Sequence, residues 1–337
     1  MNIRFYPYTL ELKRPFALSA GSRTTTPAMM VEVELEGTVG YGEASMPPYL
    51  GETAETAANF LSKIDLTAYS SPVALETMLR YVDGVAPGNN AAKTAVDIAL
   101  HDWFGKKRGA PLYRLWGLSL STIPATSMTI GIGTREAVRR SVEDAVGFNV
   151  LKVKLGGEND RGMIESVREV TDIPIRVDVN QGWKDRESAL RMIEWLSTKG
   201  VEFVEQPLPK DRPGDTAWLR ARSPLPLIAD ESVVRLADLP RALGVFDGVN
   251  IKLMKSTGLG EAYRMMTAAR ALGMKVMVGC MTETSCAVSA AAQLSPLADY
   301  ADLDGALLIR NDPFTGAAFA GGRIMPAEGP GIGATRL

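Results

Sequence analysis

Hydrophobic and polar positions change rhythm once along this chain, near residue 124. Before that point, Phe5-Tyr6-Pro7-Tyr8-Thr9-Leu10-Glu11-Leu12 and Met29-Met30-Val31-Glu32-Val33-Glu34-Leu35 alternate with period two, the pattern of strands with one buried face. With turns at Gly37 and Gly40, the first 45 residues read as a meander of strands. Residues 52–61, 72–81 and 90–106 then read as helices, and the last sets Ala95, Ile98, Ala99 and Trp103 at helical spacing. Gly109, Pro111 and Gly117 close this segment.

Beyond residue 124, short apolar runs alternate with amphipathic stretches. The runs are 125–130, 150–153, 175–179, 203–204, 227–229, 248–251, 276–278 and a weak one at 301–303. Helical stretches cover 135–146, 160–170, 186–199, 260–272 and 283–294. Eight strands spaced about 25 residues apart match the repeat of a parallel βα barrel. The rival, an open doubly wound sheet, calls for a Gly-x-Gly-x-x-Gly loop after its first strand, and none is present. The predicted fold is therefore α/β: an N-terminal α+β domain over 1–118, a (β/α) barrel over 119–310, and a Gly- and Pro-rich segment over 311–337 that packs back on the first domain.

Composition narrows the chemistry. A formal net charge of −2 offers no basic face for nucleic acid. No apolar run approaches a membrane span, and the alternating N-terminus lacks the apolar core of a signal peptide. Two cysteines, Cys280 and Cys286, are too few for a disulfide framework, and a cytoplasmic protein with reduced thiols is expected. His101 is the single histidine. Every histidine-dependent triad, zinc site or proton relay would have to pass through it, yet it lies on a helix upstream of the barrel, where a structural role is expected.

In a βα barrel, reactive groups sit at the C-terminal ends of the strands. There the second strand delivers Lys152 and Lys154, the third Asp178 and Asn180, the fourth Glu205-Gln206-Pro207, the fifth Asp230-Glu231-Ser232, and the sixth Asn250-Ile251-Lys252. Asp178, Glu205 and Asp230 thus come from three successive strands, which lie about 4.8 Å apart. Converging carboxylates repel unless a cation sits among them, and hard oxygen donors favour Mg2+ over zinc. Lys152 and Lys154, two apart on one strand, point to the same interior, and Lys252 faces them across the barrel. Beside a carboxylate–cation cluster and a like charge, a buried lysine's pKa is expected to fall toward that of a useful base. Any one of these residues is explained as well by a helix cap or a surface position; the ordered set of five motifs is not.

That set resembles the enolase superfamily, and within it the muconate-lactonizing subgroup, over nearly the whole chain. Gly40-Tyr41-Gly42-Glu43-Ala44, Ala95-Val96-Asp97-Ile98-Ala99-Leu100-His101-Asp102 and Gly329-Pro330-Gly331-Ile332-Gly333 are similar to that family's motifs in its N-terminal strand, capping-domain helix and C-terminal segment. The resemblance implies a modified TIM barrel with a capping domain, and a lysine base working with Mg2+ on a proton alpha to a carboxylate. By the same resemblance Asp178, Glu205 and Asp230 are metal ligands, Lys154 and Lys252 the acid/base pair, and Lys152 an electrostatic helper. The racemase branch with a late-barrel histidine is not matched.

Asp302-Leu303-Asp304 resembles the Asp-x-Asp motif of dipeptide epimerases, where the pair holds the substrate's α-ammonium group. Arg23, expected in a loop at 19–24 that closes over the site, resembles the residue that meets a glutamate side chain in alanyl-glutamate epimerases. Met281 and Glu283 are expected in the same pocket, although Glu283 would serve equally as a first-turn acid of the following helix. The expected partner is a dipeptide substrate, with neither nucleic acid nor membrane; a homo-oligomer is compatible with the class. The alternatives are an o-succinylbenzoate synthase or N-acylamino-acid racemase of the same subgroup, and a non-catalytic binding protein on this scaffold.

Overall fold

Alternation over the first 45 residues produces a three-stranded antiparallel sheet: β1 (Asn2–Leu18), β2 (Gly21–Leu35) and β3 (Thr38–Ser45). The computed structural model describes residues 1–18, 21–70 and 74–337. The β1–β2 register shifts between Glu11 and Phe16, after which pairing resumes through Phe16–Arg23 to Leu18–Gly21. Residues 21–24 are therefore strand rather than the expected loop; Ser19 and Ala20, expected in that loop, lie outside the described residues.

Helices α1 (Ala54–Leu61) and α3 (Asn90–Arg108) pack against this sheet, and α2 (Leu75–Gly84) packs against α3. The expected helix at 72–81 starts later and runs further, and its first two positions, 72 and 73, lie outside the described residues. Strand β3 lies directly against α3. A Cβ on Gly40 would come within 2.0 Å of Ala99 O, and one on Gly42 within 1.9 Å of Ala95 O, so only glycine permits the approach.

After a single turn, α4 (Leu112–Leu115), the chain enters eight parallel strands: β4 (Met128–Ile130), β5 (Leu151–Lys154), β6 (Ile175–Asp178), β7 (Val201–Glu205), β8 (Leu227–Ala229), β9 (Gly248–Lys252), β10 (Lys275–Gly279) and β11 (Tyr300–Asp302). They pair in sequence order, and a parallel bridge between Thr126 and Ala301 brings the two ends together. The outer layer holds α5 (Arg135–Glu143), α6 (Asp160–Arg168), α7 (Arg186–Ser197), α8 (Pro213–Arg220), α9 (Leu239–Ala242), α10 (Leu253–Ser256), α11 (Leu259–Ala271) and α12 (Ser285–Ala292). The four-residue helices α9 and α10 are too short to declare a period in the sequence, and α8 has no counterpart among the predicted stretches.

The family-like motifs outside the barrel act as staples. Asp97 on α3 accepts from Leu259 N and Gly260 N, satisfying donors at the start of α11. Glu43 on β3 accepts from Thr284 N and Ala287 N at the start of α12. Asp102 accepts from Tyr41 N and Ile332 N, joining β3, α3 and the C-terminal segment. That segment also meets β1, where Arg310 N donates to Glu11 O and the Asn311 amide to Thr9 O. No helix among the described residues is long and apolar enough to cross a membrane.

Candidate active site

The C-terminal ends of the barrel strands surround a cavity of about 250 Å³, walled by Lys152, Lys154, Asp230, Lys252, Asp302 and Asp304 and closed from the cap by Arg23 and Tyr49. In strand order β5 and β9 stand four apart among eight, so Lys154 and Lys252 reach the cavity from opposite sides. Asp178, Glu205 and Asp230, all buried, bring one carboxylate oxygen each to within 4.8 Å of one another. Register accounts for two of the three: Asp178 pairs with Glu205, whereas Glu205 pairs with Ile228, so Asp230 comes from two residues further along, just past the end of β8.

Lysines are interleaved with these acids. Lys152 Nζ lies 2.9 Å from Asp178, 2.8 Å from Glu205 and 2.8 Å from Asp302. Lys154 Nζ donates to Asp178 Oδ2 at 2.6 Å and to Asn180 Oδ1 at 3.2 Å. Lys252 Nζ donates to Asp230 Oδ2 at 2.7 Å. Burial opposes the charge on Lys152, but Asp178, Asp302 and Glu205 outweigh it and hold its ammonium well above the usual lysine range. Asp230 does the same for Lys252 against burial. At Lys152 and Lys252 the shift is therefore upward, because these two lysines are counter-ions of the acids. Burial likewise opposes ionisation of Asp178, and Lys152 and Lys154 outweigh it. Glu205 is the acid most readily protonated, its carboxyl pushed up to about 8 by burial and by Asp178.

The donor set fits a hard divalent cation. It is three buried carboxylates with no sulfur or imidazole, and among the described residues Glu205 Oε2 is met by no neutral donor, only by the Lys152 ammonium 2.8 Å away. A cation on these oxygens would take over the role the lysines fill and release them from the acids.

Asp302 and Asp304 flank the other wall. Asp302 accepts from Ser127 Oγ at 2.7 Å and from Lys152 at 2.8 Å. Asp304 accepts from Thr129 N at 2.7 Å, and burial together with Asp302 pushes its carboxyl up to about 6. Arg23 donates to Thr26 Oγ1 at 3.1 Å and to Thr282 Oγ1 at 3.0 Å, so its guanidinium reaches the wall from β2. Burial lowers its pKa from the usual arginine value. Met281 lines the cavity. Glu283 does not: it accepts from Met281 N at 2.8 Å behind the wall, and α12 begins two residues later with Thr284 as its cap.

Glu231 and Asn250 stand in the strand-end motifs without a role assigned to them, and Tyr49 and Lys255 were not singled out by the sequence. Tyr49 is 54% exposed as a whole but turns its hydroxyl inward to Met281 Sδ, and desolvation of that end pushes the hydroxyl up to about 12. Its only signal was a place between the cap's sheet and first helix. His101 sits away from the cavity with Nδ1 2.9 Å from Asp97 O, in a structural position. Cys280 and Cys286 are both free and buried.

Comparison with known proteins agrees with this arrangement. Residues 134–336 match the enolase C-terminal domain-like family, and residues 3–117 the mandelate racemase / muconate lactonizing enzyme N-terminal domain. An L-Ala-D/L-Glu epimerase of Bacteroides thetaiotaomicron is 56% identical over 100% of this chain and 88% of its own. A dipeptide epimerase from Cytophaga hutchinsonii, solved with Mg and the dipeptide D-Ala-L-Val, superposes with a TM-score of 0.90 at 30% identity, covering 99% of this chain and 95% of that one. An N-succinyl Arg/Lys racemase from Bacillus cereus superposes with a TM-score of 0.92 at 30% identity, again over 99% and 95%. The chain belongs to the enolase superfamily, in the mandelate racemase / muconate lactonizing enzyme group that includes dipeptide epimerases.

Proposed function

We propose that this protein is a Mg2+-dependent dipeptide epimerase acting on L-Ala-D/L-Glu or a related dipeptide by 1,1-proton transfer at the carbon alpha to the carboxylate. The observation that carries the reading is the pair Lys154 and Lys252, entering one cavity from opposite sides beside three converging acids. Identity of 56% to an L-Ala-D/L-Glu epimerase supports the choice of substrate.

Asp178, Glu205 and Asp230 would hold the cation. Mg2+, when bound, supplies Lewis-acid stabilisation of the charge that builds on the substrate carboxylate. Lys152 adds a fixed positive charge beside that carboxylate. One lysine of the pair, as the neutral amine, takes the α-proton; the other, as the ammonium, returns a proton to the opposite face. The configuration inverts and the two lysines exchange protonation states. Asp302 and Asp304 suit a cationic α-ammonium and disfavour the dianions that an o-succinylbenzoate synthase would take. Arg23 and Met281 form the wall for the second residue's side chain, with Arg23 facing a glutamate carboxylate. Glu283 is left with a supporting role behind Met281. A cytoplasmic location accords with the two free buried thiols.

The test uses the purified chain with Mg2+ in deuterated water against L,L-dipeptides and their N-acylated counterparts. One deuterium incorporated with diastereomer formation in L-Ala-L-Glu is the expected result. Exchange confined to N-acylamino acids would move the assignment to a racemase of the same group.

A further inference from the structure

Two buried side chains at the end of β9 take no part in the chemistry above. Lys255 Nζ lies 2.5 Å from Asp230 Oδ1, 2.6 Å from Asp230 O, and 3.1 Å from both Val233 O and Asn250 O. An ammonium has three donors, so this one is saturated, and Lys255 is absent from the cavity wall. Asn250 donates through Nδ2 to Glu205 Oε1 at 2.7 Å. Each acid therefore has one oxygen held from outside the cavity. The other oxygen faces the centre: Asp230 Oδ2 lies 2.7 Å from Lys252, and Glu205 Oε2 lies 2.8 Å from Lys152.

We infer that Lys255 and Asn250 are positioning residues that fix the side-chain orientations of Asp230 and Glu205, so that one oxygen of each is presented to a shared divalent cation. The local fold makes this possible. Asn250 and Lys252, two apart on a strand, point to the same interior. The chain then coils at once into α10, which carries Lys255 back beneath the β8 end, where it spans Asp230 and Val233. Without these anchors each carboxylate regains rotamer freedom, and the cation site must order it on binding. A purely structural role would weaken folding and leave cation affinity unchanged.

This inference rests on the Mg2+ reading, and the experiment separates the two. Mg2+ would be titrated calorimetrically into the full chain, wild type, Asn250→Ala and Lys255→Met, with circular dichroism to confirm folding. The expected Kd for Mg2+ is about 10–100-fold weaker in each variant. Epimerisation by each variant should recover to within severalfold of wild type once Mg2+ saturates, the mark of a positioning residue rather than a proton carrier. If Lys255→Met does not fold, Asn250→Ala decides alone. Variant affinities within twofold of wild type, or rates that do not recover with Mg2+, would overturn the inference while the metal reading stands. A wild type that takes up no Mg2+ would overturn both.

Discussion

Replacing Lys152 by methionine tests how the acids at the barrel mouth are balanced. Methionine keeps most of the apolar stem and removes the ammonium. That ammonium is 1% exposed and lies within 2.9 Å of Asp178, Glu205 and Asp302. Breaking a buried ion pair by removing one partner costs about 3–5 kcal/mol, because the remaining charge stays buried without compensation. Here three acids meet this one ammonium, and among the described residues only Asp178 of the three keeps a second lysine, Lys154, which argues for the upper end. Protonation limits the loss, since burial and Asp178 already push the Glu205 carboxyl up to about 8. For 337 residues this corresponds to a fall in Tm of about 4–7 °C. Thermal unfolding of wild type and Lys152→Met would be followed at pH 8 in EDTA and again in saturating Mg2+. A cation on Asp178 and Glu205 restores the missing positive charge, so Mg2+ should recover most of the deficit. Asp302, outside the triad, keeps part of it. At pH 5 the deficit in EDTA should shrink as the acids protonate. A deficit of the same size with and without Mg2+ would refute the premise that lysine and cation serve the same carboxylates.

Three further outcomes are expected. Lys154→Ala and Lys252→Ala should each lower epimerisation by about 10²–10⁴-fold, and each should retain deuterium exchange for only one epimer; equal exchange of both epimers would exclude a two-face mechanism. Burial pushes Glu43 from 4.5 up to about 7, so its neutral form is favoured on folding. Its contribution is therefore fully present below about pH 4.5 and is lost as the pH rises through 7, by about 3 kcal/mol; Glu43→Gln should flatten this slope in urea titrations at pH 5 and 8. Gly42→Ala would bring a Cβ within 1.9 Å of Ala95 O, and because the obstacle is helix backbone, a loss of about 1–3 kcal/mol or more is expected in the urea midpoint.

Much of this architecture is written in local pattern. Alternation marks the antiparallel sheet of the cap, and all eight barrel strands fall at or within a few residues of the apolar runs, because the positions that alternate with the interior-facing ones, such as Leu151 and Val153 on β5, are buried and apolar. The acids and lysines of the mouth were legible for the same reason: a strand's C-terminal end is a definite place in a barrel, so position in sequence specifies position in space. What failed was local geometry that neighbours impose. Strand pairing extends past a register shift and turns residues 21–24 into strand. The chain coils immediately after Lys252, so that Lys255 reaches back to Asp230 instead of continuing the strand. Glu283 pairs with the backbone of Met281 rather than facing the cavity. The protonation of the lysines was also beyond the sequence. A residue's type gives its charge, but the sign of its pKa shift depends on which opposite charges lie within a few ångströms, and Lys152 meets three of them only because β5, β6, β7 and β11 converge.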